Sequence, residues 1–134
     1  MKRAAVNPES MYASVPYGFS HAIKASGAVS IHCAGQVAWD KNYTVIGAGD
    51  IGAQARQALR NLTEVLAAAG ATPPDVVRMR TYVVNHQPEY LGPIGAAIAE
   101  FYGDVIPAAN TLIGVQSLAL PDFLIEIEVT AQIG

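Results

Sequence analysis

Between Ile51 and Ala69 the apolar positions Ile51, Ala55, Ala58, Leu59, Leu62, Val65, Leu66 and Ala69 recur at helical spacing. Gln54, Arg56, Gln57, Arg60, Asn61 and Glu64 form the polar back. Asp50 stands at the N-cap position, Gly70 where a C′ residue belongs, and Pro73-Pro74 forbid continuation. One apolar stripe with a polar back predicts a helix lying on a sheet. A second stripe, Leu91, Ile94, Ile98 and Phe101, predicts a helix over about 91–102, with Pro93 tolerated in its first turn.

Period-two alternation marks the strands. LIEIEV at 124–129 sends Ile125, Ile127 and Val129 to one face and Glu126 and Glu128 to the other. Over 76–84, Val76, Arg78, Arg80, Tyr82 and Val84 alternate with Val77, Met79, Thr81 and Val83. Strands are also expected at 19–25 and 28–38, joined by the turn dipeptide Ser26-Gly27, and at about 109–116 and 123–132. A short extension at 43–46 is placed to pair with the end of the second strand. The order is β-β-α-β-α-β-β. It predicts one α+β domain over 1–134, a mixed sheet with a hairpin at each end and both helices on one face.

Composition changes this picture in one respect. Only 14% of the residues are charged and the net charge is −3, against about 25% charged in an ordinary soluble domain. A chain this poor in charge is expected to cover part of its surface with copies of itself. The acidic face of LIEIEV then reads as a subunit contact. The scattered basic residues give no nucleic-acid footprint, and no apolar run approaches the ~18 residues of a membrane span. The start, MKRAAVNPES, lacks the apolar core of a signal peptide. A single cysteine, Cys33, suits a reducing, cytoplasmic setting.

Few residues offer chemistry by type alone. His32 and Cys33 are adjacent on a strand and point to opposite faces, and His21 and His86 add no ligand spacing, so no metal site is expected. Cys33 has no adjacent cation except His32, and reads as a buried, inert thiol. Trp39 and Tyr43 are expected to cover a loop or a sheet end, and Asn85 with the turn HQPEY at 86–90 to rim a cleft.

GFSHA (18–22), AGQV (34–37), AQARQALRNLTEVLAAAG (53–70), PAANTLIGVQSL (107–118) and IEIE (125–128) together resemble the reactive-intermediate deaminase family, also called RidA, YjgF or endoribonuclease L-PSP. The resemblance spans nearly the whole chain. It implies a chorismate-mutase-like fold, a homotrimer with its sheets forming a central barrel, and small-molecule clefts between neighbouring subunits. It further implies hydrolysis of reactive imines to a carbonyl compound and ammonia, without metal or cofactor. The family's water-holding Glu falls on Glu126, its Gly on Gly35 with Ala34 in place of a Ser, and its aromatic Tyr on Phe19. The backbone of Thr111 and Leu112 would cradle substrate, and Tyr17 is a candidate cleft wall.

The departure is at the carboxylate-binding Arg, whose position falls on Asn110, with an extra residue before Glu126 that alters the loop around Ala119 to Pro121. Arg grips a carboxylate with a planar, charged, two-pronged fork; Asn offers a neutral amide on a shorter stem. Loss of such a contact costs ~1.5–3 kcal/mol. Asn110 therefore points to an uncharged or larger imine. Arg78 and Arg80 are the substitute cations, with cross-strand neutralisation of the acids favoured over substrate binding. The leading reading is an imine or enamine deaminase of an Arg-lacking branch. Its rivals are a non-catalytic trimeric binder of a small metabolite and, last, a ribonuclease or translation inhibitor, for which there is no basic groove or aromatic platform.

Overall fold

The computed structural model describes residues 3–134; Met1 and Lys2 of the basic start lie outside it. Six strands and two helices follow in the order β1 (Arg3–Val6), β2 (Ala22–Ala25), β3 (Val29–His32), α1 (Ile51–Ala68), β4 (Val76–Val84), α2 (Leu91–Tyr102), β5 (Ala109–Val115) and β6 (Ile125–Ile133). β3, β6, β4 and β5 lie side by side in that order. β4 runs parallel to β5 and antiparallel to β6, which is antiparallel to β3. The sheet is mixed, as expected, and carries both helices on one face.

The helices start and stop where the sequence says. Asp50 caps α1 by accepting a hydrogen bond from the Ala53 amide at 3.0 Å, and Gly70 takes φ +84° beyond its end. Its stripe of Ala55, Ala58, Leu59, Leu62 and Leu66 packs against β6 and shares one buried core with Ile125, Ile127, Val129 and Ala131 of β6 and Met79 and Val83 of β4. Buried Gln54 ties α1 to the loop before β6: its amide donates to Asp122 O and its carbonyl accepts from Leu124 N, each at 3.0 Å. Among the described residues no helix is long and apolar enough to cross a membrane.

The connections correct the expected topology. Neither hairpin forms. β2 pairs with β1, a strand the sequence did not announce, in a separate two-stranded sheet. Gly27, at φ +141°, swings the chain away so closely past β6 that a Cβ there would sit 2.7 Å from Ile133 O. At the other end β4 inserts between β5 and β6. The expected strand 28–38 pairs regularly only to His32, and Trp39 bridges Val45 as the predicted extension. A register shift between Val76 and Arg78 also moves Val76 from the arginine face into the core, where it is fully buried.

Candidate functional site

The predicted residues gather in two places. The first is where β3 leaves β6. Cys33 N donates to Val129 O at 3.0 Å, and Gln36 exchanges bonds of 2.8 and 3.0 Å with Ile127. Ala34 and Gly35 thus oppose Glu128 alone, the geometry of a bulge. The bulge lifts Gly35 under the Glu126 side chain: a Cβ on Gly35 would lie 2.8 Å from both Cγ and Cδ of Glu126. Gly35 is therefore both a bulge residue and the floor on which the Glu126 carboxylate rests.

Around it is the open, helix-free face of the sheet. Tyr82 is the cross-strand partner of Glu126, and Arg80 of Glu128. The Tyr82 hydroxyl donates to Glu128 at 2.8 Å and Arg80 approaches Glu128 at 3.6 Å. The bond to Glu128 pushes the Tyr82 phenol above its ordinary range, because a phenolate there would face a carboxylate. Arg78 donates instead to Thr111 Oγ1 at 2.6 Å. Arg80 and Tyr82 thus hold Glu128, Arg78 is engaged by Thr111, and Glu126 lies over Gly35.

The second place is an apolar groove of about 730 Å³ on the other side of the sheet, between α2, the segment 15–19 and β5. Phe19, Tyr17, Asn110 and Leu112 line it. The 15–19 wall is pinned at its base: Ser20 Oγ donates to Pro107 O at 2.6 Å, and Asn7 Oδ1 accepts from Ser14 Oγ and His21 N at 3.2 and 2.8 Å. His21 in turn donates through Nε2 to Tyr12 O at 2.9 Å. Asn110 is the polar amide of the groove; its Oδ1 accepts from the buried Thr81 hydroxyl at 3.2 Å, which leaves the Nδ2 hydrogens for the groove.

One chain does not bring the two places together. Met79 is the cross-strand partner of both Asn110 and Val129, on the helix-facing side. Tyr82, of opposite parity, faces Glu126 on the open side. Thr111 shares that open side with Arg78 and lies away from the groove. Sequence reasoning missed the α2 wall (Gly92, Ile94, Gly95 and Ile98). The signal was there, two glycines inside a helical pattern. Asn85 and His86 do not line the groove; His86 packs beside Gly114. Trp39 does cover a sheet end, with Tyr43 and Phe123 at ring separations of 5.1 and 5.0 Å. Among the described residues no group of three or more His, Cys, Asp or Glu side chains is placed to hold a metal ion.

Comparison with known proteins adds to this geometry. Residues 9–133 match the family model described as endoribonuclease L-PSP. A RutC family protein of Pyrococcus horikoshii is 36% identical over 114 residues, covering 84% of this chain and 85% of its own. A crystal structure of YyfB, a protein of unknown function from the conserved Rid family of Yersinia pestis, is similar at 57% identity and a TM-score of 0.97, over 99% of this chain and 100% of that one. A YjgF-family structure from Mycobacterium tuberculosis is similar at 30% identity and a TM-score of 0.64, over 98% and 99%.

Proposed function

The chain belongs to the Rid/YjgF (endoribonuclease L-PSP) family, and from that premise we propose that it is a cofactor-free deaminase, hydrolysing imines or their enamine tautomers to a carbonyl compound and ammonia. The observation that carries this reading is the Glu126 carboxylate resting on Gly35, while Tyr82 and Arg80 engage Glu128. A carboxylate so placed accepts a hydrogen bond from water and aims its oxygen at an electrophilic carbon. Water adds to the imine carbon as its proton passes to nitrogen. The hydroxyl proton of the resulting carbinolamine then passes to nitrogen, and ammonia leaves as the C–N bond breaks and the C=O bond forms.

Because Asn110 and Glu126 face opposite sides of the sheet, the centre in this reading takes its two halves from different copies, and the family resemblance makes the working unit a homotrimer with clefts between copies. β3 and β5 are the outer strands of the four-stranded sheet. Copies packed with the groove beside β5 of one against the open sheet face of the next would set Asn110 of one against the Glu126–Gly35 pair of the other.

The test is a competition assay. An oxidase generates imines in situ, and semicarbazide traps what the protein fails to hydrolyse. Native protein is run beside Glu126→Ala and Asn110→Arg. Hydrolysis that disappears in Glu126→Ala supports the reading. A native protein silent on every imine, with a ligand recovered unchanged from the cleft, refutes it in favour of a metabolite carrier.

A further inference from the structure

Two glycines in the first half of α2 shape the groove. A Cβ built on Gly92 or on Gly95 would meet nothing within 4 Å, and both residues line the groove. Ordinary side chains at these positions would fill it. Val15, Pro16, Leu91, Ile94, Ile98 and Leu112 supply its apolar lining, and no charged side chain is among the lining residues. A carboxylate entering this groove would give up its water without gaining a cation. An uncharged apolar group would gain the burial of the surface it lays against the groove.

The polar end of the groove is equally specific. The Thr81 hydroxyl, buried on the helix side of the sheet, takes up the carbonyl oxygen of Asn110. What Asn110 then offers is an N–H donor of fixed direction, fitted to a neutral acceptor such as an imine nitrogen or a carbonyl oxygen. Thr81 is thus a positioning residue: it acts on a ligand only through Asn110.

We propose that the groove is a subsite for the bulky apolar side chain of an uncharged imine, R–CH=NH or R₂C=NH with no carboxylate on the imine carbon. Gly92 and Gly95 set the space for R, and the Thr81-oriented amide of Asn110 binds the polar end. This assignment rests on the deaminase reading and narrows it. The reaction balances as R–CH=NH + H₂O → R–CHO + NH₃. Imines of this kind are the two-electron oxidation products of apolar primary amines.

The experiment separates the subsite from the chemistry. Binding of phenylacetamide, an uncharged stand-in for R with a neutral polar end, is measured by calorimetry on the native protein against phenylacetate, the same shape with a charge. Gly95→Leu, Thr81→Val and Thr81→Ser are measured alongside, and each is checked for a native unfolding midpoint. Phenylacetamide is expected to bind at least about tenfold tighter than phenylacetate, and Gly95→Leu to weaken it about 10–200-fold, the range for a methylene or two of lost space. Thr81→Val is expected to weaken phenylacetamide, with Thr81→Ser restoring it. In the imine assay the ratio of kcat/KM for benzaldimine over 2-iminopropanoate falls in Gly95→Leu by the same factor.

Equal binding of amide and carboxylate overturns the proposal, as does unchanged phenylacetamide binding in a folded Gly95→Leu. Tight, Gly95-dependent phenylacetamide binding by a protein that hydrolyses no imine leaves the subsite standing and removes the deaminase reading. Hydrolysis of 2-iminopropanoate in preference to benzaldimine does the reverse.

Discussion

Gly35→Ala separates the role of Glu126 from the stability of the fold. Gly35 has no positive φ to lose, so the backbone admits Ala. The new Cβ would overlap Oε2 of Glu126 outright and sit 2.8 Å from its Cγ and Cδ, at least about 0.6 Å inside the 3.4 Å lower edge of ordinary contact. What it meets is the end of a flexible side chain, so Glu126 moves and the sheet does not. An off-rotamer Glu126 costs about 0.5–1.5 kcal/mol. Replacing Gly by Ala returns about 0.4–1 kcal/mol through the unfolded chain. The two nearly cancel, and the urea midpoint is expected to hold. Catalysis has no such compensation: displacement of a positioned group by about 1 Å costs on the order of a hundredfold. Gly35→Ala is therefore expected to lose about ten- to a hundredfold in kcat/KM for imine hydrolysis in the semicarbazide assay. The double variant with Glu126→Ala should be no worse than Glu126→Ala alone, because both substitutions remove the same interaction. A Gly35→Ala protein with native kcat/KM would refute the reasoning, as would losses that multiply in the double variant.

Other expectations follow from single contacts. Gln54→Leu strands the Leu124 amide and the Asp122 carbonyl, at about 1–3 kcal/mol for each group left unpaired, and urea unfolding reads the loss. Gly95→Ala adds a methyl to open space on α2 and should raise stability by up to about 1 kcal/mol. Burial pushes the Tyr102 phenol up to about 12, so the folded state keeps a proton that the unfolded chain releases from about pH 10. Stability is then intact below pH 10 and falls as pH rises toward 12. Tyr102→Phe, which also removes a buried hydroxyl with no partner among the described residues, should flatten that fall in pH-dependent chemical denaturation. Ile113, exposed on the open sheet face, tests assembly: Ile113→Arg adds a cation to a face already holding Arg78 and Arg80. Sedimentation should show smaller species, and hydrolysis should fall with them. A monomeric variant that hydrolyses imines at the native rate would contradict a shared cleft.

Helix signals and strand alternation, together with the mixed sheet carrying both helices on one face, were read correctly, and the pairing partners of the strands were not. Asp50, Gly70 and the α1 stripe define that helix because caps and period depend on neighbours a few residues apart. The alternation of LIEIEV puts Ile125, Ile127 and Val129 in the core, as it must on a strand with one buried face. Pairing partners are another matter. Ser26-Gly27 looks like a hairpin turn, but Gly27 takes its conformation to clear Ile133, a residue 106 positions later in the chain. Arg3–Val6 is too short to show alternation and becomes a strand because β2 offers it an edge. Val76 changes face through one register shift, which parity along the strand cannot foresee.

The same limit bears on the candidate site, and there it is informative. The position of Asn110 relative to Glu126 along the chain says nothing about faces. Its registry with Met79, and that of Glu126 with Tyr82, sets them on opposite sides. In the proposed reaction, a monomer whose Asn110 and Glu126 are separated by its own sheet has no complete hydrolytic centre. Two observations meet at this point. Only 14% of the residues are charged, and Asn110 stands on outer strand β5 while Glu126 stands on inner strand β6 beside the bulge that follows β3. In the proposed deaminase, packing the groove of one copy against the open sheet face of the next would bury apolar surface and complete the centre in one step, so assembly and activity would be selected together. In the proposed deaminase, Asn110 in place of the family's Arg would change what the cleft accepts without touching how the cleft is built. The Glu126–Gly35 half and the β3–β6 bulge that supports it contain none of the groove residues, so on this reading the groove would change its occupant while the water-holding half stays as it is.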